Sequence, residues 1–186
     1  MMATPVGHSL AGYAIYRFLV PGEDRRSALV LVAVAAANAP DLDFAPGILA
    51  GAPALYHQGI SHSLTFAVAV GLIGAAILRA GQGTDARIGF LLGFLGYSSH
   101  LFLDLFGPDS RPPYGIPLFW PLTEHTFLSP VPLLLGVSHA SHTSASTSEW
   151  VSDILTLSNV AALGLEIVLI LPFVLLTWRR RASVEL

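Results

Sequence analysis

The sequence contains no cysteine and no lysine, and it has little charge of either sign. Its 186 residues include nine basic side chains, all of them arginine, and twelve acidic ones, so that 11% of the residues are charged, against about 25% in an average soluble domain. The absence of cysteine excludes disulfides, thiolate metal ligands and a cysteine nucleophile. The net charge of −3 argues against a nucleic-acid partner, because such binding requires a basic surface.

Apolar residues dominate the chain instead. They make up 53% of it, and the mean hydropathy is +0.65. Five apolar segments lie near residues 7–20, 27–39, 63–79, 87–106 and 151–178. The last three reach or approach the roughly 20 residues that cross a bilayer, whereas the first two are shorter. No basic region precedes the first segment, so we interpret it as a retained helix rather than a cleaved signal peptide.

These segments predict an all-α fold, a polytopic integral membrane helical bundle of about five transmembrane helices. The prediction treats residues 1–186 as a single membrane-embedded domain with a long outer loop at about 107–150. Glycine and alanine recur in the third and fourth segments, where small residues would let membrane helices pack closely.

The arginines predict an orientation, because cytoplasmic loops of membrane proteins collect basic residues. If all five segments cross, eight of the nine arginines lie on one side: Arg17, Arg25, Arg26, Arg79, Arg87, Arg179, Arg180 and Arg181. Only Arg111 lies on the other. This distribution predicts an outer N-terminus and an inner C-terminus.

Seven imidazoles and carboxylates lie near segment ends on the side opposite the arginine cluster. They are His8, Asp41, Asp43, His57, His62, His100 and Asp104. His100 and Asp104 are four residues apart on one helix and so share a face. An extended turn after Pro40 would point Asp41 and Asp43 the same way, and Ser61 would cap the third helix.

This grouping predicts a divalent metal site that faces the outer side. Each of these residues, taken alone, has an ordinary structural explanation; a buried histidine, for example, can be a hydrogen-bonded core residue. Ionisable groups near membrane segments, however, are usually functional. Imidazole and carboxylate suit zinc first, with manganese, iron or nickel as alternatives, and seven candidates suit one or two ions. A metal lowers the pKa of water from 15.7 to about 7. Asp41, Asp43 or Asp104 would then serve as the catalytic base.

Several motifs together resemble a known family. An N-terminal histidine, "PDLD", "HQGISHS", "HLFLD" and "GIPLFWPL" over residues 8–122 are similar to the bacterial membrane-bound metal-dependent hydrolases described as LexA-regulated, whose ligand pattern is of the zinc-dependent phospholipase type. The resemblance implies the same seven residues as metal ligands and a hydrolytic activity. One departure is Gln58, since relatives commonly carry arginine after the first histidine of "HQGISHS".

The functional expectation is hydrolysis of a phosphoester or ester in a lipid or lipid-linked substrate, with the lipid bilayer as partner. Arg111 would clamp a phosphate or serve as a solvated loop cation. Alternatives from other classes are a metal-ion or proton transporter, because ionisable residues at membrane depth also mark ion pathways, and a non-catalytic scaffold with a structural metal. Glu166 is predicted to form an interhelical hydrogen bond. Trp120 is predicted to lie at the membrane interface.

Overall fold

The computed structural model describes residues 3–20, 26–109, 112–137, 146–154 and 156–182. All regular structure in these ranges is helical, apart from an isolated antiparallel bridge between Ile116 and Phe127. The helices are α1 Pro5–Leu19, α2 Ser27–Asn38, α3 Phe44–Leu49, α4 Leu64–Gln82, α5 Ala86–Leu105, α6 Thr147–Ile154 and α7 Leu157–Ala182. Single 3₁₀ turns cover Pro40–Asp43 and Pro53–Leu55.

The all-α prediction is confirmed, and each of the five predicted segments coincides with a helix: α1, α2, α4, α5 and α7. Proline sets two of the boundaries. Pro5 is the first residue of α1, where its missing N–H costs nothing. Helix α2 ends at Asn38, two residues before Pro40, although Ala39 still has helical dihedral angles, φ −64 and ψ −35. Pro40 ends the α-helical hydrogen bonding because it has no N–H to donate to a carbonyl four residues earlier.

The fifth predicted segment differs in its start. It begins as the separate helix α6, which includes the last residues of the predicted outer loop, and α7 follows from Leu157. The side-chain amide of Asn159 donates to the carbonyls of Asp153 and Ile154, at 2.9 Å each. These bonds satisfy carbonyls that the end of α6 leaves without helical partners and so stabilise the break.

Within the described ranges, three helices are long and apolar enough to cross a membrane: Leu64–Gln82, Ala86–Leu105 and Leu157–Thr177. The number rises to four if α2 and the segment Pro40–Leu49 form one bent span. This is close to the predicted five. The difference is α1, whose 15 residues reach only about 22 Å at 1.5 Å per residue, less than the ~30 Å hydrocarbon core.

The chain divides into two compact units. The loop unit comprises Met1–Thr4, Pro40–Thr65 and Leu101–Glu166, and the helix unit comprises Pro5–Ala39, Phe66–His100 and Ile167–Leu186.

Glycine permits very close helix packing in the helix unit. A Cβ atom on Gly12 or on Gly96 would lie 2.7 Å from the carbonyl oxygen of Ala33. A Cβ on Gly74 would lie 2.7 Å from the carbonyl oxygen of Gly89, and the reverse distance is also 2.7 Å. The backbones of α4 and α5 therefore touch, as the recurrence of small residues predicts.

In the loop unit, the segment after α5 is held by backbone hydrogen bonds. The Ile116 and Phe127 backbones exchange two bonds of 3.0 and 2.9 Å, and the N–H of Leu64 donates to Leu118 at 2.9 Å. Gly115 has φ +86, and a Cβ there would lie 2.2 Å from the Phe127 carbonyl, so only glycine fits. These bonds fasten the first residue of α4 to this segment.

Glu166 has a partner that differs from the predicted neighbouring helix. Its carboxylate accepts hydrogen bonds from the backbone N–H and the hydroxyl of Thr4, just before α1. The nearly complete burial of Glu166 therefore comes with a polar partner, as burial of a polar group requires.

Candidate metal centre

Five of the seven predicted ligands come together in the loop unit. Asp41 and Asp43 lie on the 3₁₀ turn that follows α2, and Asp104 lies in the last turn of α5. His57 and His62 belong to the loop that leads into α4. Three separate stretches of the chain thus supply the cluster.

Two details of local structure differ from the sequence-based expectations. The turn after Pro40 is a 3₁₀ helix rather than an extended turn, because the φ that the proline ring imposes also suits the start of a helix. Ser61 does not cap α4, which begins only at Leu64. The Ser61 hydroxyl instead donates to Oδ2 of Asp43 at 2.8 Å.

Asp43 joins the two imidazoles. Its Oδ1 lies 2.9 Å from Nδ1 of His57, and its Oδ2 lies 3.2 Å from Nδ1 of His62. The other ring nitrogen of His62, Nε2, lies 3.5 Å from Oδ2 of Asp104. Both nitrogens of His62 therefore face carboxylates. The ligand atoms of Asp43, His57 and His62 all lie within 4.8 Å of one another, close enough to hold a common ion.

Asp41 lies at a greater distance from the same two rings. Its Oδ1 is 3.9 Å from Nδ1 of His57 and 4.0 Å from Nε2 of His62. Its side chain is 14% exposed, compared with 10% for Asp43 and 0% for Asp104. Both carboxylate oxygens of Asp41 are nonetheless buried, so the exposed part of this side chain is not its oxygens.

Burial and hydrogen bonding change the pKa values of His57 and His62 in opposite directions. Burial lowers the pKa of His57 to about 4, against the partly compensating hydrogen bond with Asp43, so this ring is neutral at pH 7. Burial also acts to lower the pKa of His62, but the hydrogen bonds with Asp104 and Asp43 outweigh it and raise that pKa to about 9. In the absence of a metal, a proton on His62 therefore partly offsets the charge of the surrounding carboxylates.

Sequence reasoning missed several groups that position the ligands. The ring of Phe44 stacks on His57 with centroids 3.9 Å apart, and the N–H of Ala3 donates to Oδ1 of Asp104 at 3.4 Å. The N–H of Gln58 donates to Oδ2 of Asp43 at 3.1 Å. Phe44 and Gln58 each adjoin a predicted ligand in sequence, which was the available signal. Ala3 gave none.

Gln58 makes this contact through its backbone, at φ +62. This left-handed conformation is uncommon for any residue but glycine. Position 58 therefore contributes an oriented N–H, whatever its side chain, and the departure from arginine leaves the link to Asp43 in place.

We expect Gln58→Gly to keep the metal content of the wild type and to stabilise the fold by up to about 1 kcal/mol, since glycine adopts this φ without strain. Gln58→Val should destabilise it, because a β-branched residue resists positive φ. Metal analysis and thermal unfolding in detergent would test both variants. Loss of metal in Gln58→Gly would show that the glutamine side chain itself is needed.

The remaining two predicted ligands, His8 and His100, lie together in the helix unit. Their rings stack with centroids 3.7 Å apart at an angle of 15°, and both residues are fully buried. Nδ1 of His100 lies 2.9 Å from the carbonyl oxygen of Ala37. Because a carbonyl only accepts, Nδ1 is the donor of this hydrogen bond, which is the arrangement found in histidines that bind metals through Nε2.

Other candidates lie apart from the cluster or outside the described residues. Arg111 falls outside the ranges that the structure describes, so its predicted role stays a prediction. Glu124 and His125 lie on the surface. The Trp120 carbonyl accepts a hydrogen bond from the Thr65 hydroxyl, which fastens the "LFWPL" motif beside the start of α4.

The chain was compared with known proteins and with protein-family models. A search of curated proteins and a search of solved structures each found nothing similar. A protein-family model described as YdjM inner membrane protein matches residues 2–184, nearly the whole chain. This supports the membrane location that the apolar helices indicate. The chain therefore belongs to the YdjM inner membrane protein family.

Proposed function

We propose that this protein is a membrane-bound metal-dependent hydrolase that cleaves a phosphoester or ester bond in a lipid or lipid-linked substrate. The main support is the gathering of carboxylates around one buried imidazole. Asp41, Asp43 and Asp104 each place an oxygen within 4.0 Å of His62. Three acids against two imidazoles leave a surplus of negative charge, which is costly to bury and which a divalent cation would neutralise.

The donor set fits such an ion. Imidazole nitrogen and carboxylate oxygen are ligands of zinc, manganese and iron, and we propose zinc first, as one or two ions held by residues of the loop unit. A bound metal would supply Lewis-acid polarisation of the attacked group and a lowered pKa for the attacking water. His8 and His100 remain predicted ligands on the chemistry of their imidazoles.

The protein's own groups account for the movement of protons. We assign the general base to Asp41, because its imidazole contacts are the longest of the three carboxylates. The water oxygen bonds to the phosphorus or carbonyl carbon and gives its proton to Asp41. The bond to the alcohol leaving group breaks, and that alcohol takes the proton. Asp43 is fixed by Ser61 and the Gln58 N–H and so orients both imidazoles.

We also propose the orientation with the N-terminus outside, the C-terminus inside and the site on the outer side. In the helix unit, Arg26 donates to the Gln82 carbonyl at 2.9 Å and to the Thr84 hydroxyl at 3.0 Å. Two connections predicted to be cytoplasmic therefore meet at the N-terminal end of α2. The stacked His8 and His100 lie at its other end, beside Ala37, about 16 Å away along a helix of this length.

Removal and return of the metal would test the activity. We expect detergent-purified protein to hydrolyse at least one member of a panel of phospholipids and chromogenic phosphodiesters, to lose this turnover on dialysis against a chelator, and to regain it with added zinc. The reason is that water at neutral pH is a poor nucleophile without a metal. Tightly bound metal without turnover across the panel would instead indicate a structural site, since structural sites are closed to exchangeable water.

A further inference from the structure

The segment Leu42–Ile60, which carries the ligands Asp43 and His57, has an apolar outer surface. Leu49 is 89% exposed, Leu42 71%, Tyr56 51% and Ile60 49%. Soluble proteins rarely present this much apolar surface over so short a stretch unless a partner covers it.

The carboxylate and the imidazole on this segment turn inward. Its one charged residue is Asp43, whose side chain is 10% exposed and bound to His57. The His57 side chain is itself only 3% exposed. This is the reverse of an ordinary water-facing loop, in which apolar groups are buried and charges face solvent.

The segment is continuous with a membrane span. Helix α4 begins at Leu64, four residues after Ile60, and it is a candidate span with 22% of its apolar window buried. At the other end, Pro40–Leu49 belongs to the bent pair that itself qualifies as a span. Apolar surface that is continuous in sequence with candidate membrane spans at both ends is suited to contact lipid as well.

From this placement we propose that Leu42–Ile60 is immersed in the bilayer, so that the exposed side chains beside the ligands contact lipid acyl chains. Leu42 lies between Asp41 and Asp43, Tyr56 precedes His57, and Ile60 lies two residues before His62. This inference rests on the proposed function. In this arrangement the substrate is a membrane lipid that reaches the cluster from within the bilayer, with its acyl chain against these side chains and its headgroup at the carboxylates.

The absence of cysteine allows a clean test, because one introduced thiol is the only labelling site. Leu49→Cys and Leu55→Cys would each carry an environment-sensitive fluorophore in phosphatidylcholine vesicles. Leu72→Cys, exposed in the middle of α4, is the lipid control, and Gln82→Cys, exposed at its end, is the aqueous control. Quenching would be measured with iodide in the water and with acyl chains that bear a nitroxide.

We expect both segment labels to behave like Leu72, with strong loss of fluorescence to the lipid-borne quencher and little to iodide. Iodide quenching as strong as at Gln82 would overturn the proposal. Protection from both quenchers would overturn it too, since it would show that protein, such as a second copy of the chain, covers the segment. The measurement needs no turnover. The labels can therefore show lipid contact even if the protein has no hydrolase activity, and hydrolysis in vesicles can be observed even if the labels show no lipid contact.

Discussion

Replacing His62 by alanine is expected to remove most of the bound metal and to abolish hydrolysis. His62 is fully buried, and its ring faces Asp43 through Nδ1 and Asp104 through Nε2. Its loss would remove a ligand and leave three carboxylates with one imidazole. Changing a residue that only supports a ligand typically lowers metal affinity about 10–100-fold, so the loss of the central imidazole should cost at least that.

The measurement is metal content by elemental analysis, with turnover assayed on the same samples. Asp43→Ala should behave like His62→Ala, because Asp43 contacts both imidazoles. His125→Ala is the matched control, since His125 is exposed and lies outside the cluster, and it should keep full metal and activity. His100→Ala reports separately on the histidine pair of the helix unit.

A folded His62→Ala protein with undiminished metal would refute the proposed centre. Circular dichroism and elution as a single species would establish folding before the metal content is compared. If His62→Ala fails to fold, His62→Gln keeps a polar side chain of similar reach, and its metal content decides the question instead.

Replacing Gly89 by alanine is expected to destabilise the fold by about 1–3 kcal/mol, the usual cost of overpacking. The added Cβ would lie 2.7 Å from the Gly74 carbonyl oxygen and 2.8 Å from Cα of Ala75. Both are backbone atoms, so no side chain can rotate away, and α4 and α5 would have to separate. Close backbone approach of this kind is how small residues hold membrane helices together.

The unfolding midpoint in detergent, by heat or denaturant, would measure this effect. Gly164→Ala is the matched control, because Gly164 lies inside the apolar helix α7 and a Cβ there meets nothing within 4 Å. Alanine at that position should be neutral or stabilising by up to about 1 kcal/mol, from its higher helix propensity. An equal effect of the two substitutions would show that the contact of α4 with α5 contributes little to stability.

Sequence patterns predicted the helices well because helix position depends on local information. Apolar runs, their length and the prolines at their edges are properties of short windows of chain, and α4 and α5 follow them within three residues. The span count was less certain because length alone does not show whether short helices such as α1 cross the bilayer. The break between α6 and α7 is bridged by hydrogen bonds of the Asn159 side chain, to which hydropathy is insensitive.

The sequence by itself determined that this is an all-helical membrane protein. It also indicated which imidazoles and acids lie near the ends of apolar segments, because the length of an apolar run and the positions of the ionisable residues beside it can be read directly from the sequence. The tertiary structure decided what those groups contact: that Asp43 joins His57 to His62, that Ser61 holds Asp43 rather than capping a helix, and that Glu166 binds Thr4, 162 residues away. Such pairings bring together stretches that are distant in sequence, and a distance between two side chains depends on the path of the whole chain between them.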